Sequence, residues 1–194
     1  MNLRPALLGL LVLVLSGCVG AQTARLHGTV VSAVPAYDFT LADQTGQPLT
    51  LGSMRGDEVI LFFGYTHCPD ECPITMAHLA TVYHALSPAD QKRVQVVFVT
   101  VDPRRDTRAE LKRYLRAFDQ HFIGLTGSAS ALASTYRAYA VDRRLVEEAR
   151  TGKEDVAHSS TIYLIDPRGR LRVLFDWNAN LADIEHDVKE LLGA

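Results

Sequence analysis

Glu58 to Pro73 reads EVILFFGYTHCPDECP. Its first half is an apolar run flanked by turn residues, the pattern of a strand buried on both faces. Its second half sets Cys68 and Cys72 four residues apart, each followed by a proline. Ile74, Met76, Leu79, Val82, Tyr83 and Leu86 then recur at helical spacing. The stretch therefore reads as strand, turn and helix, with Cys68 closing the turn and Cys72 in the first helical turn, so that both thiols can share one face. Pro69 and Pro73 suit a turn and a helix start, where no amide hydrogen is missed.

Outward from this unit the chain alternates elements. Upstream, Pro35 to Leu51 alternates apolar and polar residues around Gln44-Thr45-Gly46-Gln47 and reads as a hairpin. Downstream come a buried strand over Val94–Val101, a helix over Asp106–Asp119 opened by an acidic cap, a short segment Phe122–Leu125 and a helix over Ser130–Tyr139. Thr161–Asp166 and Leu171–Phe175 form a hairpin around Pro167-Arg168-Gly169, and Asn180–Leu192 is the closing helix. The polar stretch Asp142–Asp155 reads as an inserted surface loop or hairpin. This order predicts an α/β fold, a central mixed sheet flanked by helices, whose first two long strands are parallel.

The N-terminus sets the compartment. Arg4, the ten-residue run Ala6–Leu15 and then small residues have the order of a signal peptide; the run would span only about 15 Å as a helix, half a hydrocarbon core. Leu15-Ser16-Gly17-Cys18 resembles the bacterial lipobox, which implies cleavage before Cys18 and its lipidation. Residues 1–17 are thus expected as a leader, 18–33 as lipidated cysteine and tether, and 34–194 as one domain with enough chain for a sizeable core. The expected location is extracytoplasmic, anchored to a membrane by lipid. The formal charge of −2 is unsegregated, and the cluster Arg104, Arg105, Arg108, Lys112, Arg113 and Arg116 reads as the solvated face of a helix. No aromatic interleaving points to nucleic acid.

With Cys18 lipidated, the only thiols left are Cys68 and Cys72. Outside the cytoplasm such a pair can oxidise, yet a bridge closing so short a loop removes little chain entropy, which disfavours a purely structural staple. Amides at a helix start stabilise thiolate, the form that is both nucleophile and metal ligand. Two thiolates leave a transition-metal site incomplete. Of seven histidines, His158 immediately precedes a predicted strand, where a loop ligand would sit; His78, His84, His121 and His186 fall on or beside helices, His27 near the tether, and His67 beside Cys68 with a diverging side chain.

Three segments, FFGYTHCPDECP, VTVDPRRDT and HSSTIYLIDPRG, in this order and spacing, resemble the Sco/SenC family of thioredoxin-fold copper chaperones for cytochrome c oxidase. The likeness runs from about Pro35 to the C-terminus. It implies a thioredoxin-like fold, copper ligation by Cys68, Cys72 and His158, and a place for Asp102 beside the metal pocket. The family often has Asp before the histidine where this chain has Ala157; Asp155 and Asp102 are the carboxylates that could support His158 instead. Two soft thiolates and one imidazole suit Cu(I), and Cu(II) could add an oxygen ligand; zinc fits the same donors.

The expected function is delivery of copper to the CuA site of oxidase subunit II, a binding role without turnover. The alternative is a thiol–disulfide oxidoreductase that uses Cys68 and Cys72 to reduce the cysteines of that site. Further partners implied are another copper donor or a thioredoxin-like reductant. A peroxidase is disfavoured, since Thr66 lies only two residues before Cys68.

Overall fold

Strand β4 (Glu58–Gly64) is buried along its whole length, as its continuous apolar run requires. In the computed structural model, which describes residues 25–147 and 154–193, β4 runs parallel to β5 (Val94–Thr100), in register from Glu58 opposite Val94 to Gly64 opposite Thr100. On its other side it is antiparallel to β9 (Thr161–Ile165). The connection from β4 to β5 is helix α1 (Glu71–Ala85), followed by the short α2 (Pro88–Gln91). This βαβ unit puts the C-terminal ends of β4 and β5 and the start of α1 at one end of the sheet.

The sheet has eight strands, ordered β1-β10-β9-β4-β5-β6-β2-β3. Here β1 is Thr29–Pro35, β2 Thr40–Asp43, β3 Pro48–Thr50, β6 Ile123–Thr126 and β10 Arg170–Asp176. Hairpins β2–β3 and β9–β10 form where the turn residues predict them, with Gly46 and Gly169 at positive φ (94° and 75°). Helices α3 (Arg108–Leu115), α4 (Ala129–Ala138) and α5 (Leu181–Leu192) complete the fold, and α5 packs against α1. The core is aromatic at its centre: Phe62, Phe63 and Phe98 are fully buried.

Several expectations are corrected. Asp106 does not cap α3: the hydroxyl of Thr107 accepts from the Glu110 amide, and Asp106 is buried beside the cysteine turn instead. Arg104 and Arg105 precede α3, so the basic cluster is not one helix face. The inserted segment, by contrast, forms the expected hairpin, β7 (Arg143–Glu147) with β8 (Glu154–His158). His158 is therefore the last residue of a strand, held opposite Arg143, and not a loop residue. Strand β1 begins within the stretch expected as tether; Val30 and Val34 on it are exposed, so the edge carries no amphipathic alternation to betray it. The leader and Cys18 lie outside the described residues. Among the described residues no helix is long and apolar enough to cross a membrane.

Candidate metal centre

The cysteine turn takes its place from the strands beneath it. Val101 donates its amide to the Gly64 carbonyl (2.7 Å), extending the parallel ladder to the end of both strands. Gly64 has no side chain because Cys72 occupies the space: a Cβ there would lie 3.0 Å from Cys72 Sγ and 2.8 Å from the Phe98 ring. Cys72 is fully buried at the start of α1, while Cys68 is half-buried. The Cys72 amide points at Cys68 Sγ (3.4 Å), the helix-start donor the spacing predicts.

His158 arrives from the hairpin. Its Nε2 lies 3.5 Å from Cys72 Sγ. Its Nδ1 faces the Ser159 carbonyl oxygen at 2.9 Å. A carbonyl only accepts, so this contact assigns the proton to Nδ1 and leaves the Nε2 lone pair turned towards the sulfur atoms. The imidazole is packed edge-on by Tyr65 (centroids 5.7 Å apart) and Phe62 (6.4 Å). Ser160 donates its hydroxyl to Glu71 on α1, tying the histidine segment to the cysteine helix.

The two thiols are electrically unlike. Hydrogen bonding from Cys72 is the largest influence on Cys68; together with two backbone amides it outweighs burial and brings the Cys68 proton off at about 4 instead of the ordinary 9.0. The same bond, together with burial and the neighbouring thiolate charge, drives Cys72 strongly upward. The pair shares one proton: Cys68 is the half-exposed thiolate and Cys72 the buried thiol.

Around the donors sits a carboxylate frame that sequence reading only partly located. Asp102 is buried and pairs with Arg105, whose guanidinium stacks 5.7 Å from the Tyr65 ring centroid. Asp102 thus opens onto the same rim but touches His158 only through Arg105 and Tyr65. Asp155 receives the Tyr65 hydroxyl. Burial, this bond and the Cys68 charge all push the Tyr65 phenol upward, keeping it a donor. Neither carboxylate bonds to His158, whose support is the Ser159 carbonyl. Asp106, read from sequence as a helix cap, is the main brace: it accepts from the Thr66 amide (3.1 Å), the Thr66 hydroxyl (2.7 Å) and the Thr100 hydroxyl (2.6 Å).

Among the other histidines, His67 is exposed, bonded to Thr66 Oγ1 and 3.6 Å from the Asp106 carboxylate, and His84 and His121 both pair with Asp119. His27, His186 and Asp187 form a second cluster beside α5. There the two imidazoles stack face to face, 4.0 Å apart and 4° from parallel, so their in-plane lone pairs do not converge on one point.

Comparison with known proteins follows the same outline. A family model described as SCO1/SenC matches residues 32–193. The mouse (Mus musculus) protein named Protein SCO2 homolog, mitochondrial, is 35% identical over 178 residues, which cover 89% of this chain and 68% of that protein. Against the first four mitochondrial relatives the chain spans from 49% to 68% of their length. Among solved structures, Bradyrhizobium japonicum ScoI with copper bound aligns with a TM-score of 0.73 at 36% identity, over 82% of this chain and 100% of its own. BsSco, described as a member of the Sco family of cytochrome c oxidase assembly proteins and as carrying a disulfide switch, aligns with a TM-score of 0.64 at 25% identity, over 83% of this chain and 95% of its own.

Proposed function

Because the chain belongs to the SCO1/SenC family, and because its cysteine turn meets a histidine at one end of the sheet, we propose that it binds copper through Cys68, Cys72 and His158 and serves in the assembly of a respiratory cytochrome c oxidase. The observation that carries this reading is the orientation of His158, whose free Nε2 faces Cys72 Sγ at 3.5 Å while Nδ1 is committed to Ser159. Two thiolates and a neutral imidazole form a soft donor set suited to Cu(I). Binding the ion displaces the proton shared by the thiols, so loading releases protons and strengthens as pH rises. The half-exposed Cys68 is the sulfur that an incoming donor or acceptor thiolate reaches first, which makes transfer by ligand exchange practicable. Copper is cargo here, received from another donor and passed to the CuA site of subunit II. The leader and Cys18 would hold the domain at an extracytoplasmic membrane face by lipid.

One observation favours the second reading, reduction of the CuA-site cysteines. A half-exposed thiolate beside a buried thiol is the arrangement of a thiol–disulfide exchanger. Cys68 would attack the target disulfide and Cys72 would release the target by closing the Cys68–Cys72 bond; two electrons and the pair's one proton would pass to the target, whose second thiolate takes its proton from water.

His158→Ala separates the two. If copper delivery is the role, the variant keeps disulfide reduction of a model substrate and loses CuA assembly. CuA assembly at the parent's level by His158→Ala would make the reductase the better account.

A further inference from the structure

Beside the metal rim lies a cleft of about 510 Å³ between α4 and the β7 strand. Leu132, Tyr136 and Leu145 are apolar surfaces in its lining, and Arg104, Arg137 and Arg143 bring positive charge to it. Among the described residues that line it there is no carboxylate. Leu145 is 47% exposed, a large apolar side chain held outward on a strand that, among the described residues, pairs only with β8. Such a surface, apolar in its floor and with arginines at its rim, fits a partner better than bulk water.

The cleft is continuous with the metal centre through covalent and hydrogen-bonded structure. Arg143 is the register partner of His158, and its Nε donates to the Val101 carbonyl, one residue before Asp102. The Tyr136 hydroxyl donates to the Thr100 carbonyl on the same strand end (2.6 Å). A segment seated in the cleft would therefore rest against the backbone that carries His158 and the end of β5.

We infer that this cleft is the docking seat for the copper-exchange partner, and that it takes an acidic segment of that protein carrying an aromatic or aliphatic side chain. The inference rests on the copper-transfer reading above. Charge selects the occupant: Arg137 and Arg143 over an apolar floor match carboxylates flanking an apolar anchor, and Arg binds carboxylates in forked geometry. Complementary charge of this kind raises the rate of encounter more than it tightens the complex, so the contact weakens as salt screens it.

The test uses the copper-loaded full chain in nonionic detergent and a fluorescein-labelled heptapeptide that alternates acidic residues with Phe and Leu; a second peptide replaces the acids by Lys. Anisotropy should show binding of the acidic peptide alone, falling as salt is raised. Arg137→Glu, on an exposed position of α4, and Leu145→Ser should each weaken it at least tenfold with copper per chain unchanged. Equal binding by parent and both variants, equal binding of the two peptides, or binding of anionic phosphatidylglycerol vesicles without the peptide would overturn the inference. Copper content is read separately in the same samples, so loss of copper in the parent would count against the transfer reading and leave the peptide result to judge the cleft.

Discussion

Asp106→Ala is the substitution from which the structure allows the most to be worked out. The carboxylate accepts three donors: the Thr66 amide, the Thr66 hydroxyl and the Thr100 hydroxyl. Thr100 is fully buried, so its hydroxyl loses its acceptor without gaining water, a penalty of about 1–3 kcal/mol. Thr66 is only half-buried, and its two donors can turn to solvent at a net cost of about 0.5–1.5 kcal/mol each. Against these stands the relief of removing a buried carboxylate, whose pKa burial raises despite the hydrogen bonds. The balance is a loss of about 2–4 kcal/mol. For a domain of this size that is a fall of roughly 5–15 °C in melting temperature. Asp106→Asn keeps one acceptor oxygen and should lose about half as much. The same change frees the turn that carries Cys68, so Cu(I) affinity measured by chelator competition should fall about tenfold. An Asp106→Ala protein that melts within a degree of the parent, with unchanged copper affinity, would refute the claim that Asp106 braces the cysteine turn.

Four other outcomes are expected. Gly64→Ala places a methyl 3.0 Å from Cys72 Sγ and 2.8 Å from the Phe98 ring, so it should cost about 1–3 kcal/mol in chemical denaturation and reduce copper loading together. Alkylation of Cys68 by iodoacetamide should remain fast down to mild acid and fall only as pH approaches about 4, while Cys72 resists at every pH short of unfolding; two thiols with ordinary profiles near 9.0 would contradict the shared proton. Glu58 is fully buried without a hydrogen-bond partner among the described residues, and burial, with Asp166 and Asp187 adding to it and Arg93 opposing, raises its pKa well above 4.5. Since the folded value exceeds the unfolded one, its contribution to stability is greatest below about 4.5 and is lost as pH rises, so Glu58→Gln should raise the melting temperature at pH 8 by ~2–4 °C or more and flatten the pH dependence. Cys18→Ser should release the protein from the membrane fraction or block its processing, and retention with no lipid on the mature N-terminus would remove the anchor from the account.

What the sequence disclosed about this fold follows from where each signal resides. Strands β4 and β5 and helix α1 were legible because their patterns are local: long apolar runs, helical spacing, and proline at the turn. The cysteine pair was legible for the same reason, as four residues of one turn. His158 lies 86 residues from Cys72 and is brought there by the β8 strand, so periodicity alone could not choose it among seven histidines and only the motif likeness did. Asp106 was misread because an acidic residue just before a helix looks like a cap; its actual partners are Thr66, forty residues away, and Thr100. Tyr65 carried no signal at all, since its role depends on Asp155 and Arg105 arriving from other elements. Ala157 offers His158 no carboxylate, and the imidazole leans instead on a backbone carbonyl, which any residue at 159 would supply.

The central claim is that two sulfurs and one imidazole nitrogen of this chain hold one copper ion, and X-ray absorption on the Cu(I)-loaded, reduced protein tests it most directly. The account predicts two sulfur scatterers at about 2.2–2.3 Å and one nitrogen at about 2.0 Å per copper, one copper per chain, with the nitrogen shell lost in His158→Ala. A spectrum unchanged by His158→Ala, or one fitted by sulfur alone in the parent, would contradict it.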